Sequence, residues 1–163
     1  MSLPNIENHQ HYPDLPTFIG GMHSIYSIDF LLNQISFHSK KVFLKNSPSG
    51  QLYWIDYDWT FHHIVTREDK VTNDRKFDLP RAERIRFPRH YIDNENTLLV
   101  WTKRKGNEDK YYISDSNFEY LIILAKRQLS QNFILISAFP TDGNYYRKKL
   151  KKEYQQVTGV SLP

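Results

Sequence analysis

The chain has 163 residues, 39% hydrophobic and 25% charged, with no cysteine and a formal net charge of +4. That balance suits one ordinary globular domain and excludes collagen, mucin-like and disordered chains, while the lack of cysteine rules out disulfides, thiolate zinc sites, iron–sulfur clusters and a cysteine nucleophile. No apolar run approaches the roughly 20 residues that cross a bilayer, and the opening MSLPNIENHQHYP has neither a basic start nor an apolar stretch, so the expectation is a cytoplasmic chain with no membrane partner.

Residues 1–16 contain three prolines and two histidines without apolar periodicity and read as an irregular leader. From Thr17 to Phe37 the apolar positions Ile25, Ile28, Leu31, Leu32 and Ile35 best match one helix, its start blurred by Gly20 and Gly21. The run KKVFLKN, the turn SPSG and the run QLYWIDY then predict a hairpin. Short helices are expected at 59–65 and 79–86, with Pro80 in a first helical turn and Pro88 ending or turning the second helix. Four arginines, at 81, 84, 86 and 89, make this segment cationic despite Asp78 and Glu83.

The last third is the clearest. TLLVWTKRK, KYYISDS, FEYLIILAKR and NFILISAFP are four β-prone runs joined by short polar links, which predicts an antiparallel meander. After Pro140, TDGNYYRKKLKKEYQQV predicts a basic amphipathic helix, with Asp142 or Asn144 as N-cap and Tyr146, Leu150 and Tyr154 along one stripe. The 11 Tyr, 10 Phe and 3 Trp suit strand faces, and Trp54, Trp59 and Trp101 read as core or sheet anchors. Lys148, Lys149, Lys151 and Lys152 read as a solvated helix face. The fold class is α+β: a four-stranded meander with N-terminal helices and a C-terminal basic helix, in one domain.

Few patterns carry chemistry. His62 and His63 project about 100° apart on a helix, His9 and His11 lack further ligands, and HExxH is absent, so neither a metal nor a cofactor is expected. A GxSxG elbow and a Gly-rich phosphate loop are also absent. What remains is histidine beside positive charge. Metal-free RNA cleavage needs a base for the 2′-hydroxyl, an acid for the leaving oxygen and cations or donors for the phosphorane's charge. Arg81 and Arg84, spaced i, i+3, would grip one phosphate if helical; surface ion pairing with Asp78, Glu83 or Asp93 is the alternative, and spacing alone favours that pairing.

The series W-x-F-H-H-I-V, then D-L-P-R-A-E-R-I-R-F-P-R at 78–89, then VW, KYYI, YLIILAKR and LISAFPTD resembles the phage-associated branch of the ribonuclease superfamily that groups barnase, EndoU, colicin D and RelE. The resemblance covers about residues 54–154, and R-A-E-R-I is its most specific piece. It implies RNA cleavage on the face of a four-stranded sheet, with residues 59–157 as the nuclease-like core and 17–58 as a helix-and-hairpin extension. His63, which precedes Ile64, takes the position of the branch's acid–base histidine. Arg81 and Arg84 fall on the motif's arginines, as phosphate ligands or charge stabilisers.

Ser137 holds the hydroxyl position of the last strand, where period two sets it with Phe133, Leu135 and Phe139; a buried serine bonded to backbone is the alternative. Thr141, Tyr145 and Arg147, just beyond that strand, would complete a substrate site. The expectation is a metal-independent endoribonuclease, toxin-like or from a phage or other mobile element, with RNA as partner and a protein inhibitor or immunity partner besides. The rival is a noncatalytic module that binds nucleic acid or an acidic protein.

Overall fold

Caps and prolines decide where the helices start. In the computed structural model, which describes residues 2–47, 57–127 and 129–162, α1 (Leu15–Tyr26) begins at Asp14, whose carboxylate accepts the Thr17 amide at 2.8 Å, with Pro16 in the first turn. Gly20 and Gly21 lie inside this helix rather than at its start. A side chain at Gly21 would come within 2.6 Å of the Tyr12 ring, which packs there. A π-helical turn (Ser27–Leu31) ends the helical segment, so the single helix expected through Phe37 is corrected: Ile35–Phe37 is strand β1.

β1 turns into β2 (Lys40–Phe43) through His38 and Ser39, both at positive φ (47° and 59°). That two-residue geometry matches the right-handed twist of a hairpin but strains residues other than glycine or asparagine. Glu95 supports it by accepting the His38 amide at 2.9 Å. The expected partner arm for β2, QLYWIDY, falls almost wholly on residues 48–56, outside the described residues, as does Trp54.

The predicted helix over 79–86 is helical only over α3 (Leu79–Ala82); residues 83–86 form a turn, and a further helix, α4 (Phe87–Asp93), follows. Pro88 sits in the first turn of α4, where its missing N–H breaks no helical bond, so it starts a helix instead of ending one. Between α2 (Trp59–Val65) and α3, the polar stretch forms a small antiparallel hairpin of β3 (Thr66–Glu68) and β4 (Arg75–Phe77). Its turn is held by the Asp69 carboxylate, which accepts the amides of Val71 and Thr72.

The four predicted strands β5 (Leu99–Lys105), β6 (Glu108–Ser114), β7 (Tyr120–Arg127) and β8 (Phe133–Pro140) pair antiparallel in sequence order. The sheet is nevertheless six-stranded, in the order β1-β2-β8-β7-β6-β5, which corrects the four-stranded expectation. The edge of β8 carries backbone groups that need partners, and β2 supplies them in parallel, with Val42 opposite Phe133 and Phe43 opposite Ile134.

Alternation along β7 separates two cores. Ile122 and Leu124 join Phe18, Met22, Phe61 and Ile85 under the N-terminal helices, while Leu121 joins Trp101, Leu150 and Tyr154 under α5 (Gly143–Thr158). Burying Leu150 and Tyr154 stabilises the docked helix by about 1.5–3 kcal/mol for each large side chain. Glu153 fixes the register of the helix, accepting from the Trp101 indole at 2.9 Å and from Lys103 at 2.7 Å. Among the described residues no helix is long and apolar enough to cross a membrane.

A β-bulge breaks the period of β8. Ser137 stands opposite Ile123 and Leu135 opposite Leu124, so Ile136 is one residue too many. Phe133, Leu135 and Ala138 therefore share the N-terminal helix face, whereas Ser137 and Phe139 turn to the α5 face with Ile123. The expectation that Ser137 lies with Phe133 and Leu135 is corrected accordingly.

Candidate active site

Helix α2 presents the histidines. Asp58 caps it, accepting the Phe61 amide at 2.9 Å and the Tyr26 hydroxyl at 3.0 Å. Phe61, Ile64 and Val65 enter the large core. Trp59 and His63, at i and i+4, share a half-buried stripe where their rings stack, centroids 3.5 Å apart and planes 21° apart. The exposed Lys45 ammonium lies 4.2 Å from the Trp59 ring centroid, a cation–π distance.

The C-terminal carbonyls of α2 have no partners within the helix. Two guanidinium groups meet them. Arg75 Nη2 donates to His63 O at 3.2 Å and Thr66 O at 2.8 Å, with its Nε on Thr66 Oγ1 at 2.8 Å. Arg81 Nη1 donates to Thr66 O at 2.8 Å and more loosely to His63 O at 3.5 Å. Positive charge here is also favourable to the helix dipole.

These cations set the protonation of the imidazoles. Burial, reinforced by the charges of Arg75, Lys45 and Arg81 and by His62, pushes His63 down to about 3. Burial and Arg75 push His62 down to about 4. Both rings are uncharged at neutral pH. The two stand edge to face with centroids 5.8 Å apart and planes 79° apart, and among the described residues there is no cluster of three or more metal-ligating side chains. Burial lowers Arg81 to about 10, with Asp78 opposing the shift, so it stays cationic.

Arg81 also reaches β8: its guanidinium carbon lies 4.6 Å from the Phe139 ring centroid. Phe139 is two residues from Ser137 on the same strand face. Arg81 thus links the end of α2, where it meets the His63 carbonyl, to the β8 face that bears Ser137, while α2 packs Phe61 and Ile64 into the core on the opposite face. Arg81 is the most enclosed, its side chain 10% exposed and its Nε buried without a hydrogen bond. It acts on this site by holding the end of α2 and through its field.

Arg84 goes elsewhere. Because α3 ends at Ala82, the i, i+3 spacing no longer puts both arginines on one helix face. Arg84 Nη1 donates to Pro80 O at 2.9 Å and borders a separate cleft of about 590 Å³, floored by Tyr91 and Tyr120 and shared with Arg147, Asp115 and Glu119. Arg147 lies 3.5 Å from Glu119 and donates to Thr141 Oγ1 at 3.2 Å. Thr141 is only 3% exposed; its hydroxyl donates to Phe118 O and its amide to Glu119 O, so it secures the turn between β8 and α5. Tyr145 stands outward, 85% exposed.

Sequence reasoning missed Lys45, Trp59 and Arg75 as parts of this site. The Trp59–His63 spacing of four was a readable signal for stacking on a helix. Nothing local marks Arg75, whose partners are backbone carbonyls. The chain matches no family model, no curated protein and no solved structure.

Proposed function

We propose that this protein is a metal-independent endoribonuclease with His63 as general base. The neutral His63 imidazole takes the proton from a ribose 2′-hydroxyl as that oxygen attacks phosphorus. The P–O5′ bond breaks, the 5′-oxygen takes a proton from solvent, and the product is a 2′,3′-cyclic phosphate. Ser137 donates a hydrogen bond to a phosphate oxygen, and the exposed Lys45 offsets the charge that develops there. Arg81 and Arg75 are positioning residues, holding the end of α2 in a fixed field.

The observation that carries this reading is an uncharged, half-buried imidazole under the charges of Arg75, Lys45 and Arg81, with Arg81 reaching on to the Phe139 ring of the strand face that bears Ser137. An arriving phosphodiester brings negative charge among those cations and raises the proton affinity of His63 toward the range that a base needs. The likeness of residues 54–154 to the barnase, EndoU, colicin and RelE group supports the same chemistry.

The test is cleavage of mixed RNA in EDTA, reading the ends for cyclic phosphate. Cleavage that survives chelation and falls by about 10²–10⁴ in His63→Ala is expected. Cleavage that needs added metal, or that His63→Ala leaves intact, overturns the assignment. The second reading, a noncatalytic nucleic-acid module, is favoured by the enclosure of Arg81 and the departure of Arg84 from the site; it predicts salt-sensitive RNA retention without turnover.

A further inference from the structure

Helix α5 has one docked side and one bare side. Leu150 and Tyr154 are buried against the sheet, while Tyr145, Lys148, Lys149 and Lys152 are all exposed. Their spacing, i, i+3, i+4 and i+7, sets them along one stripe about 10 Å long. Among the described residues Lys148, Lys149 and Lys152 have no ion pair. The helix's one carboxylate, Glu153, is turned inward to Trp101 and Lys103. The stripe is therefore uncompensated positive charge headed by a bare aromatic ring.

A helix that is merely solvated gains from mixing acids among its lysines at i, i+4; here the acid is withdrawn into the sheet contact. The start of the stripe also adjoins the candidate active site. Helix α5 follows β8, which carries Ser137, after two residues, and Asp142 at the start of α5 pairs at 2.6 Å with Arg67, which pairs in turn with Asp78 beside Arg81.

We propose that Tyr145, Lys148, Lys149 and Lys152 form a track for single-stranded RNA flanking the scissile linkage, the lysines meeting phosphates and the Tyr145 ring stacking on an unpaired base. This rests on the endoribonuclease reading for its choice of RNA. Single strands are favoured over duplex because a ring 85% exposed offers a stacking platform that only an unpaired base can use.

The test uses a fluorescent 2′-O-methyl oligoribonucleotide of about 12 residues, which lacks the attacking hydroxyl, so binding is read by anisotropy without turnover. The triple variant Lys148→Gln/Lys149→Gln/Lys152→Gln is expected to weaken binding at low salt by about tenfold or more, and to flatten the dependence of log K on log salt by about 2. Tyr145→Ala is expected to weaken binding by about fivefold or more at an unchanged salt slope.

Four outcomes overturn the track: no binding by the unaltered protein, wild-type affinity and slope in both variants, equal affinity for duplex RNA, or equal affinity for a poly-glutamate peptide. Cleavage of ordinary RNA, followed in parallel, separates the two ideas. The expected binding pattern without any cleavage sinks the ribonuclease reading and leaves the track standing. Cleavage with binding indifferent to these four residues sinks the track alone.

Discussion

The junction of α2 with β8 and the cleft floored by Tyr91 and Tyr120 each take one arginine, Arg81 and Arg84, from the same short segment, yet their charges are balanced differently. In the cleft, Arg147 lies 3.5 Å from Glu119 and Arg84 donates to Pro80 O, with Asp115 also in the lining. At the junction, Lys45, Arg75 and Arg81 surround two uncharged histidines, and Asp78, which pairs with Arg67 at 2.8 Å, is the acid that opposes the Arg81 shift. A polyanion gains charge complementarity at the junction and little at the cleft. The number of arginines does not separate the two regions; their nearest partners do, backbone carbonyls for Arg75 and Arg81 and a carboxylate for Arg147.

The sharpest way to break this comparison is to remove one arginine from each side. Arg81→Ala strips a charged donor from the end of α2 and is expected to lower the unfolding free energy by about 2–3 kcal/mol, with loss of cleavage. Urea unfolding followed by circular dichroism reads it, and a change below about 0.5 kcal/mol would class Arg81 with ordinary surface residues. Ser137→Ala comes next, with an expected fall in cleavage of about tenfold for one lost hydrogen bond. A Ser137→Ala protein that cleaves at the wild-type rate removes the hydroxyl from the mechanism.

Acid and alkali separate the regions further. His62 and His63 hold their proton affinities below the ordinary 6.5 in the fold, so between that value and about 3 the unfolded chain binds protons the folded one refuses. Their contribution to stability is complete above pH 6.5 and is lost as pH falls toward 3. Thermal unfolding at pH 7 and pH 4.5 is expected to show that loss, reduced in His63→Asn. Tyr91 and Tyr120 are shifted upward by burial, so stability at the cleft is complete below the ordinary tyrosine value of 10.0 and falls above it.

A fourth test measures the field at the junction directly. Trp59→Leu opens one face of the His63 ring to water and is expected to move its NMR titration midpoint up from about 3 toward 6.5; an unmoved midpoint means Trp59 does not shelter the ring. The smallest effect belongs to Arg84→Ala, expected to change stability by less than about 0.5 kcal/mol and cleavage by less than about twofold. A large loss of cleavage there would merge the two regions into one site.

The parts legible in sequence were those whose residues act locally. β5 to β8 are rich in branched and aromatic side chains between short polar links, and α5 carries its buried stripe at helical spacing. Hidden features depend on distant partners. The hairpin of β1 and β2 turns on His38 and Ser39, ordinary residues held at positive φ with Glu95 as support. Pro88 reads equally well as a stop or a start until the chain after Ile85 is seen to restart a helix. At the site, the resemblance led to the expectation of His63 with both Arg81 and Arg84, and Arg81 meets the His63 carbonyl. The loss of Arg84 does not follow from the motif, because it comes from a helix that ends after Ala82.

The surplus residue at Ile136 has an outcome of its own. Deleting it would make Leu135 and Ser137 consecutive residues of a regular strand, which still point to opposite faces, so Phe133 and Leu135 would stay in the oil beneath α1 and α2 and only the added local twist would be lost. Pairing Ile136 into the ladder would instead set the serine beside Leu135 in that oil, so one residue left out of the pairing decides which layer of the molecule receives the alcohol.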